Sequence, residues 1–220
     1  MNRDIKLEIK YLLEDIIRLY QEKKENKKIS QRIQRGRASS IANDFEERFA
    51  VFLEKVLPDK YSFLVDYPIS YNITGRGRKK TSYPDISIVK DESVLAGIIE
   101  LKIDLGYLAD DWVTKSKTEF DNLRKAAVIQ YTAGIRTEKR RPKKTLIVPQ
   151  TLCKAVVVLS DQNDHGRLNR FLTQDNCFIL TRNIHPNDVP INDSVGKTVL
   201  ERITRHQDVE KLTKFLHNFR

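Results

Sequence analysis

Asp85, Glu100 and Lys102 are the residues whose types and spacing suit chemistry on a phosphate. They fall in two apolar, β-branched runs, Tyr83-Pro84-Asp85-Ile86-Ser87-Ile88-Val89 and Leu95-Ala96-Gly97-Ile98-Ile99-Glu100-Leu101-Lys102-Ile103. Both runs read as strands bounded by Pro, Asp and Ser. Strand side chains alternate, so Ile99, Leu101 and Ile103 share one face while Glu100 and Lys102 share the other. An antiparallel hairpin turning through Lys90 to Ser93 would bring Asp85, with Ser87 on its side, towards both. Burying such charges is costly unless they pair or bind a metal. Two close carboxylates repel each other, and a divalent cation relieves that repulsion while collecting oxygen ligands. Such an ion polarises a phosphoryl group and acidifies a bound water, which a nearby Lys can orient or deprotonate. This is chemistry for cutting phosphodiesters. A buried ion pair on an edge strand would use the same residues.

Pro84-Asp85, fourteen intervening residues and then Glu100-Leu101-Lys102 resemble the PD-(D/E)XK nuclease superfamily, which includes most type II restriction endonucleases. Glu-x-Lys also occurs at Glu8-Lys10, Glu22-Lys24 and Glu25-Lys27, but in charged, helical surroundings that read as solvated faces. The resemblance implies Mg²⁺ held by Asp85, Glu100 and the Leu101 carbonyl, with Lys102 orienting or activating the attacking water. It also implies a Glu on the helix before the sheet, which Phe45-Glu46 fits better than Glu47, and a polar residue from the helix after it, for which Gln130 is the candidate. The implied products carry 5′-phosphate and 3′-hydroxyl ends, and symmetric cutting of both strands implies a homodimer.

The net charge of +10 is localised. Residues 21–37 carry seven Lys and Arg against two acids, residues 76–80 four against none, and residues 136–144 six against one. These segments exceed the whole net charge, as expected of a phosphate-binding surface rather than a uniformly solubilising one. Arg76, Arg78, Lys79 and Lys80 form a basic loop just before the strand of Asp85, and Arg136, Lys139, Arg140, Arg141, Lys143 and Lys144 form a second. Both are candidate contacts to double-stranded DNA.

The elements that must position these groups follow from periodicity. Residues 2–25 read as an amphipathic helix through Ile5, Ile9, Leu12, Leu13, Ile16, Leu19 and Tyr20, which suits a core helix, an interface helix or a DNA-facing arm equally. A basic linker, 27–37, leads to Ser39 and Ser40 as N-cap candidates for a helix over 41–57, striped by Ile41, Phe45, Phe49, Phe52 and Val56 and ended by Pro58. Strands are expected at 61–65 and 69–73, a helix over 110–131, a strand buried on both faces at 154–159, a short one at 177–180, and a closing helix over 194–217. Asp104 reads as a strand-end cap.

Other motifs fall short. Gly196-Lys197-Thr198 lacks the upstream Gly of a phosphate loop, since Ile stands at 191. His165-Gly166-Arg167-Leu168-Asn169 lacks paired metal ligands, and His185, His206 and His217 show no zinc spacing. No apolar run approaches a membrane span, no signal core follows Met1, and Cys153 and Cys177 read as buried thiols, which together point to a cytoplasmic protein. The expected fold class is α/β, a mixed central β-sheet flanked by helices in a restriction endonuclease-like sandwich. Residues 1–37 form an elaboration and 38–220 the nuclease domain. The expected function is that of a Mg²⁺-dependent type II restriction endonuclease. A Holliday-junction resolvase-like nuclease and an inactive DNA-binding module of the same fold are the alternatives.

Overall fold

A computed structural model describes residues 4–25, 41–72, 79–106, 111–133, 142–163, 176–190, 194–204 and 206–220. The protein is mixed α/β, with a mixed central sheet and helices packed on it. Residues 1–57, 101–107 and 157–220 make one compact unit, and residues 58–100 and 108–156 make another.

The first unit is built around α1 (Ile5–Glu25) and α2 (Ala42–Val56). Ile9, Leu13, Ile16 and Ile17 of α1 are wholly buried, as are Phe49 and Leu53 of α2, so α1 is a core helix of its unit. The expected Ser39 and Ser40 cap lies outside the described residues; the N-cap position of α2 is Ile41, which has no side-chain cap. Leu57 turns extended ahead of Pro58, whose ring disfavours helical backbone in the residue before it. The unit also holds the C-terminal end of β8 (Cys153–Ser160), together with β9 (Cys177–Thr181), α4 (Ser194–Thr204) and α5 (Gln207–His217). The single closing helix expected over 194–217 is in fact two. His206 is extended, with its Nδ1 accepting from the Asp208 amide, and so caps α5. The six-residue step from Ile203 to Val209 would have thrown one continuous apolar stripe out of phase. Buried Asp208 then accepts from Arg182, the residue just after β9, at 2.9 Å, tying α5 to the end of that strand.

The second unit is a sheet of β1 (Tyr61–Val65), β2 (Ile69–Asn72), β3 (Lys79–Ser82), β4 (Ile86–Lys90), β5 (Val94–Lys102, its last two residues falling in the first unit), β6 (Val128–Thr132) and β7 (Lys143–Ile147), with α3 (Trp112–Lys125) on one side. Its order is β1-β4-β5-β7-β6-β2-β3, and β5–β7 is parallel while the remaining pairs along this path are antiparallel. Leu123 of α3 packs into a core with Ile69, Tyr71, Leu95, Ile98, Ile129, Tyr131 and Leu146, which defines the α3 side of the sheet.

Three expectations change here. The helix expected over 110–131 stops at Lys125; Ala126 closes it, Ala127 is left-handed at φ 53°, and Val128-Ile129-Gln130-Tyr131-Thr132 forms β6. Its β-branched and aromatic residues alternate buried and exposed, a period of two that overrides the helical one. The strand expected from Tyr83 begins at Ile86. The basic loops are in part strands, since Lys79 and Lys80 lie on edge strand β3 and Lys143 and Lys144 on β7. Lysines are well suited to a sheet edge, where they discourage pairing with another chain.

Candidate active site

The hairpin forms as its sequence requires. Lys90 to Ser93 make a tight turn closed by the Ser93 amide donating to the Lys90 carbonyl, with Asp91 and Glu92 both left-handed at φ 49° and 53°. Positive φ at both central residues matches the right-handed twist of the strands. The register runs Ile86↔Ile99, Ser87↔Ile98 and Ile88↔Gly97, with an irregularity between Ile88 and Val89 that shifts the remaining pairs to Val89↔Leu95 and Lys90↔Val94. The register ends at Ile86↔Ile99, so Asp85, just before β4, and Glu100, just after Ile99, are the next residues on the two chains. Side chains directly opposite in an antiparallel pair share a face, with Cβ atoms about 5 Å apart. Both carboxyl residues are half-buried. Ile98 belongs to the core under α3 and pairs with Ser87, so alternation puts Glu100, two residues on from Ile98, and Asp85, two residues before Ser87, towards the α3 side.

β5 is continuous through Lys102, and alternation sets Glu100 and Lys102 on one face of it, both half-buried between buried Ile99 and Leu101. The Lys102 ammonium donates to the Leu101 carbonyl at 2.9 Å, so that oxygen already attracts a cation. Asp104 Oδ1 accepts from the Gly106 amide at 3.0 Å, the strand-end cap expected of it. Glu46 lies in the first unit, half-buried on α2 beside buried Phe45, while Glu47 is exposed.

Two features of the second unit escape a reading of the sequence. Asp66 follows β1, and its amide donates to the Asp85 carbonyl at 2.9 Å, continuing the β1–β4 register. Its backbone is left-handed at φ 50° and its side chain exposed. Only the equal lengths of the β1 and β4 runs hint at this neighbour. The other feature is Ser87, wholly buried on the same face as Asp85 with its Oγ making no hydrogen bond.

Among the described residues, no three His, Cys, Asp or Glu side chains group closely enough to hold a metal. The pair Asp85 and Glu100 still fits Mg²⁺, which takes one or two carboxylates and keeps several waters. The orphaned Ser87 hydroxyl beside the pair is the kind of polar atom a hydrated ion would satisfy.

Gln130 does not join this site. It sits exposed on β6 opposite Ser70, between core residues Ile129 and Tyr131, and so faces away from the α3 side. Of the basic candidates, Arg76, Arg78, Arg136, Lys139, Arg140 and Arg141 lie outside the described residues. Alternation splits the rest: Lys80 lies opposite Tyr71 and Lys144 opposite Tyr131, on the α3 side, whereas Lys79 and Lys143 point the other way. Lys144 Nζ lies 3.7 Å from Glu92 Oε2.

Burial pushes the Cys153 thiol up to about 11 and the Cys177 thiol up to about 12, so neither is a nucleophile near neutral pH. His185 is lowered by burial, an effect that Asp188 and Asp104 oppose, and its ring meets Tyr20 edge-on at 4.9 Å. No described helix is long and apolar enough to cross a membrane. No family model, curated protein or solved structure matches the chain.

Proposed function

We propose that the protein is a Mg²⁺-dependent endodeoxyribonuclease of the PD-(D/E)XK type, cutting double-stranded DNA as a type II restriction enzyme does. The observation that supports the reading is the β4–β5 register, whose terminal pair Ile86↔Ile99 leaves Asp85 and Glu100 as the next residue on each side, with Lys102 following Glu100 on the same face of β5. Asp85, Glu100 and the Leu101 carbonyl are the residues that would hold the ion. When bound, Mg²⁺ supplies charge stabilisation to the phosphoryl oxygens and acidifies a water. Lys102, carried at the end of β5, would orient or deprotonate that water for attack on the phosphorus. Two symmetric cuts require two such sites, hence a homodimer in the cytoplasm.

The test is incubation of mixed-sequence plasmid DNA with the protein and Mg²⁺, followed by sequencing of the fragment ends, with four-way junctions run in parallel. The reading expects discrete duplex cuts bearing 5′-phosphates, lost on adding chelator and lost in Asp85→Ala and Lys102→Ala. Cleavage of junctions alone would move the assignment to a resolvase, and no cleavage of either DNA would refute it.

A further inference from the structure

A groove of about 560 Å³ opens in the second unit between α3 and the β2–β3 edge, away from the carboxylate pair. Lys80, Thr81, Lys115, Thr118, Glu119 and Asn122 line it, with buried Tyr71 at its floor. Its size suits a nucleotide-sized fragment. Two ammoniums face one carboxylate, and hydroxyls and an amide fill the intervals, which is the donor-rich lining a sugar-phosphate chain needs. Burial raises the Tyr71 hydroxyl pKa and the nearby Glu119 adds to the rise, and that carboxylate repels phosphate from its end of the groove. Phosphates are therefore left to Lys80, Lys115 and the threonines.

The Lys115 ammonium lies 2.6 Å from Asp111 one helical turn away, but exposed pairs of this kind contribute about 0–1 kcal/mol and exchange readily for a phosphate. The sheet face settles which lysines matter. Lys80 stands opposite Tyr71, and Tyr71 and Ile98 belong to the same core under α3. The groove and the Asp85–Glu100 pair therefore lie on the same side of the sheet, whereas Lys79, one residue from Lys80, is on the other.

We propose that this groove is a DNA-backbone site, in which Lys80 and Lys115 take the phosphates of one strand of the duplex whose cleavage is proposed for Asp85 and Glu100. The inference rests on that nuclease reading for its choice of DNA, but binding can be measured apart from cutting. The experiment is fluorescence anisotropy of a labelled DNA duplex in chelator, across a salt series, with the full chain. Lys80→Ala combined with Lys115→Ala should weaken binding about tenfold at moderate salt and lower the salt slope by about 2, close to 0.9 per lost phosphate contact. Lys79→Ala combined with Lys143→Ala, on the opposite face, should leave both values near wild type. Circular dichroism of each variant confirms that it folds. Loss of affinity in the Lys79 and Lys143 pair alone, or no change in the Lys80 and Lys115 pair, would overturn the assignment. Because no metal is present, a protein that binds through the groove yet never cuts would sink the nuclease reading and leave the groove standing.

Discussion

Replacing Ser87 by Ala should stabilise the metal-free protein. Ser87 is wholly buried, its Oγ has no partner, and its register neighbours are Leu64 on β1 and Ile98 on β5. A buried hydroxyl left unpaired costs about 1–3 kcal/mol. Alanine keeps the β-carbon against the same apolar neighbours and removes only the oxygen, so the void it leaves offsets a small part of the gain. A net gain of about 1 kcal/mol moves the melting temperature up by about 2–4 °C in a chain of this size. The account also couples this residue to the ion. Mg²⁺ at ten times its dissociation constant stabilises the wild type by about 1.4 kcal/mol. If a hydrated ion on Asp85 also satisfies Ser87, the Ser87→Ala gain should shrink once Mg²⁺ is added. Thermal melts of both proteins in chelator and in Mg²⁺ measure all four values. A metal-free Ser87→Ala protein melting about 2 °C or more below wild type would show that the hydroxyl is already satisfied, and the argument from it would fail.

Glu92→Gly should stabilise the hairpin by about 0.5–1 kcal/mol in urea unfolding, because Glu92 holds a left-handed φ that glycine adopts without steric cost and its exposed pairing with Lys144 contributes little. His185 has a folded pKa below its unfolded value, so the unfolded chain binds more protons as pH falls. Its contribution is intact above the unfolded value of about 6.5 and is lost as pH drops from there towards the folded value. Urea midpoints at neutral and mildly acidic pH should diverge less in His185→Gln than in wild type, and equal divergence would refute this. Cys153 and Cys177 should react slowly with a thiol reagent at pH 8 in the folded state and promptly in urea, since burial holds both thiols protonated. Their raised values also predict stability falling as pH rises above about 9, where the unfolded thiols ionise first.

The hairpin was legible because its information is local: alternation in β5, apolar flanks, and a turn of the right length between them. Its turn residues were not, since Asp91-Glu92 stands where Asn-Gly or Asp-Gly would announce positive φ. The same reticence hid the end of α3. Ala127 takes the left-handed position that glycine usually marks, so nothing punctuated the passage into β6, and Gln130 went with the helix instead of to the far face of the sheet. The two basic runs read as loops because lysine has low strand propensity, yet pairing with β2 and β6 outweighs that preference for Lys79, Lys80, Lys143 and Lys144. That α1 is a core helix depends on what α2, α4 and α5 present to it, which no window of α1 contains. Asp66 was missed for a related reason, as its closeness to Asp85 comes from a register with a strand twenty residues away.

The central claim is that Asp85 and Glu100 jointly hold a divalent ion. Titrating the wild-type protein with Mn²⁺, and following the loss of free-ion signal by electron paramagnetic resonance, addresses it without any substrate. The account predicts saturable binding that Mg²⁺ competes away and that Asp85→Asn and Glu100→Gln each weaken at least about tenfold, with both variants still folded. Binding unchanged in either variant, or no saturable binding by the wild type, would contradict it.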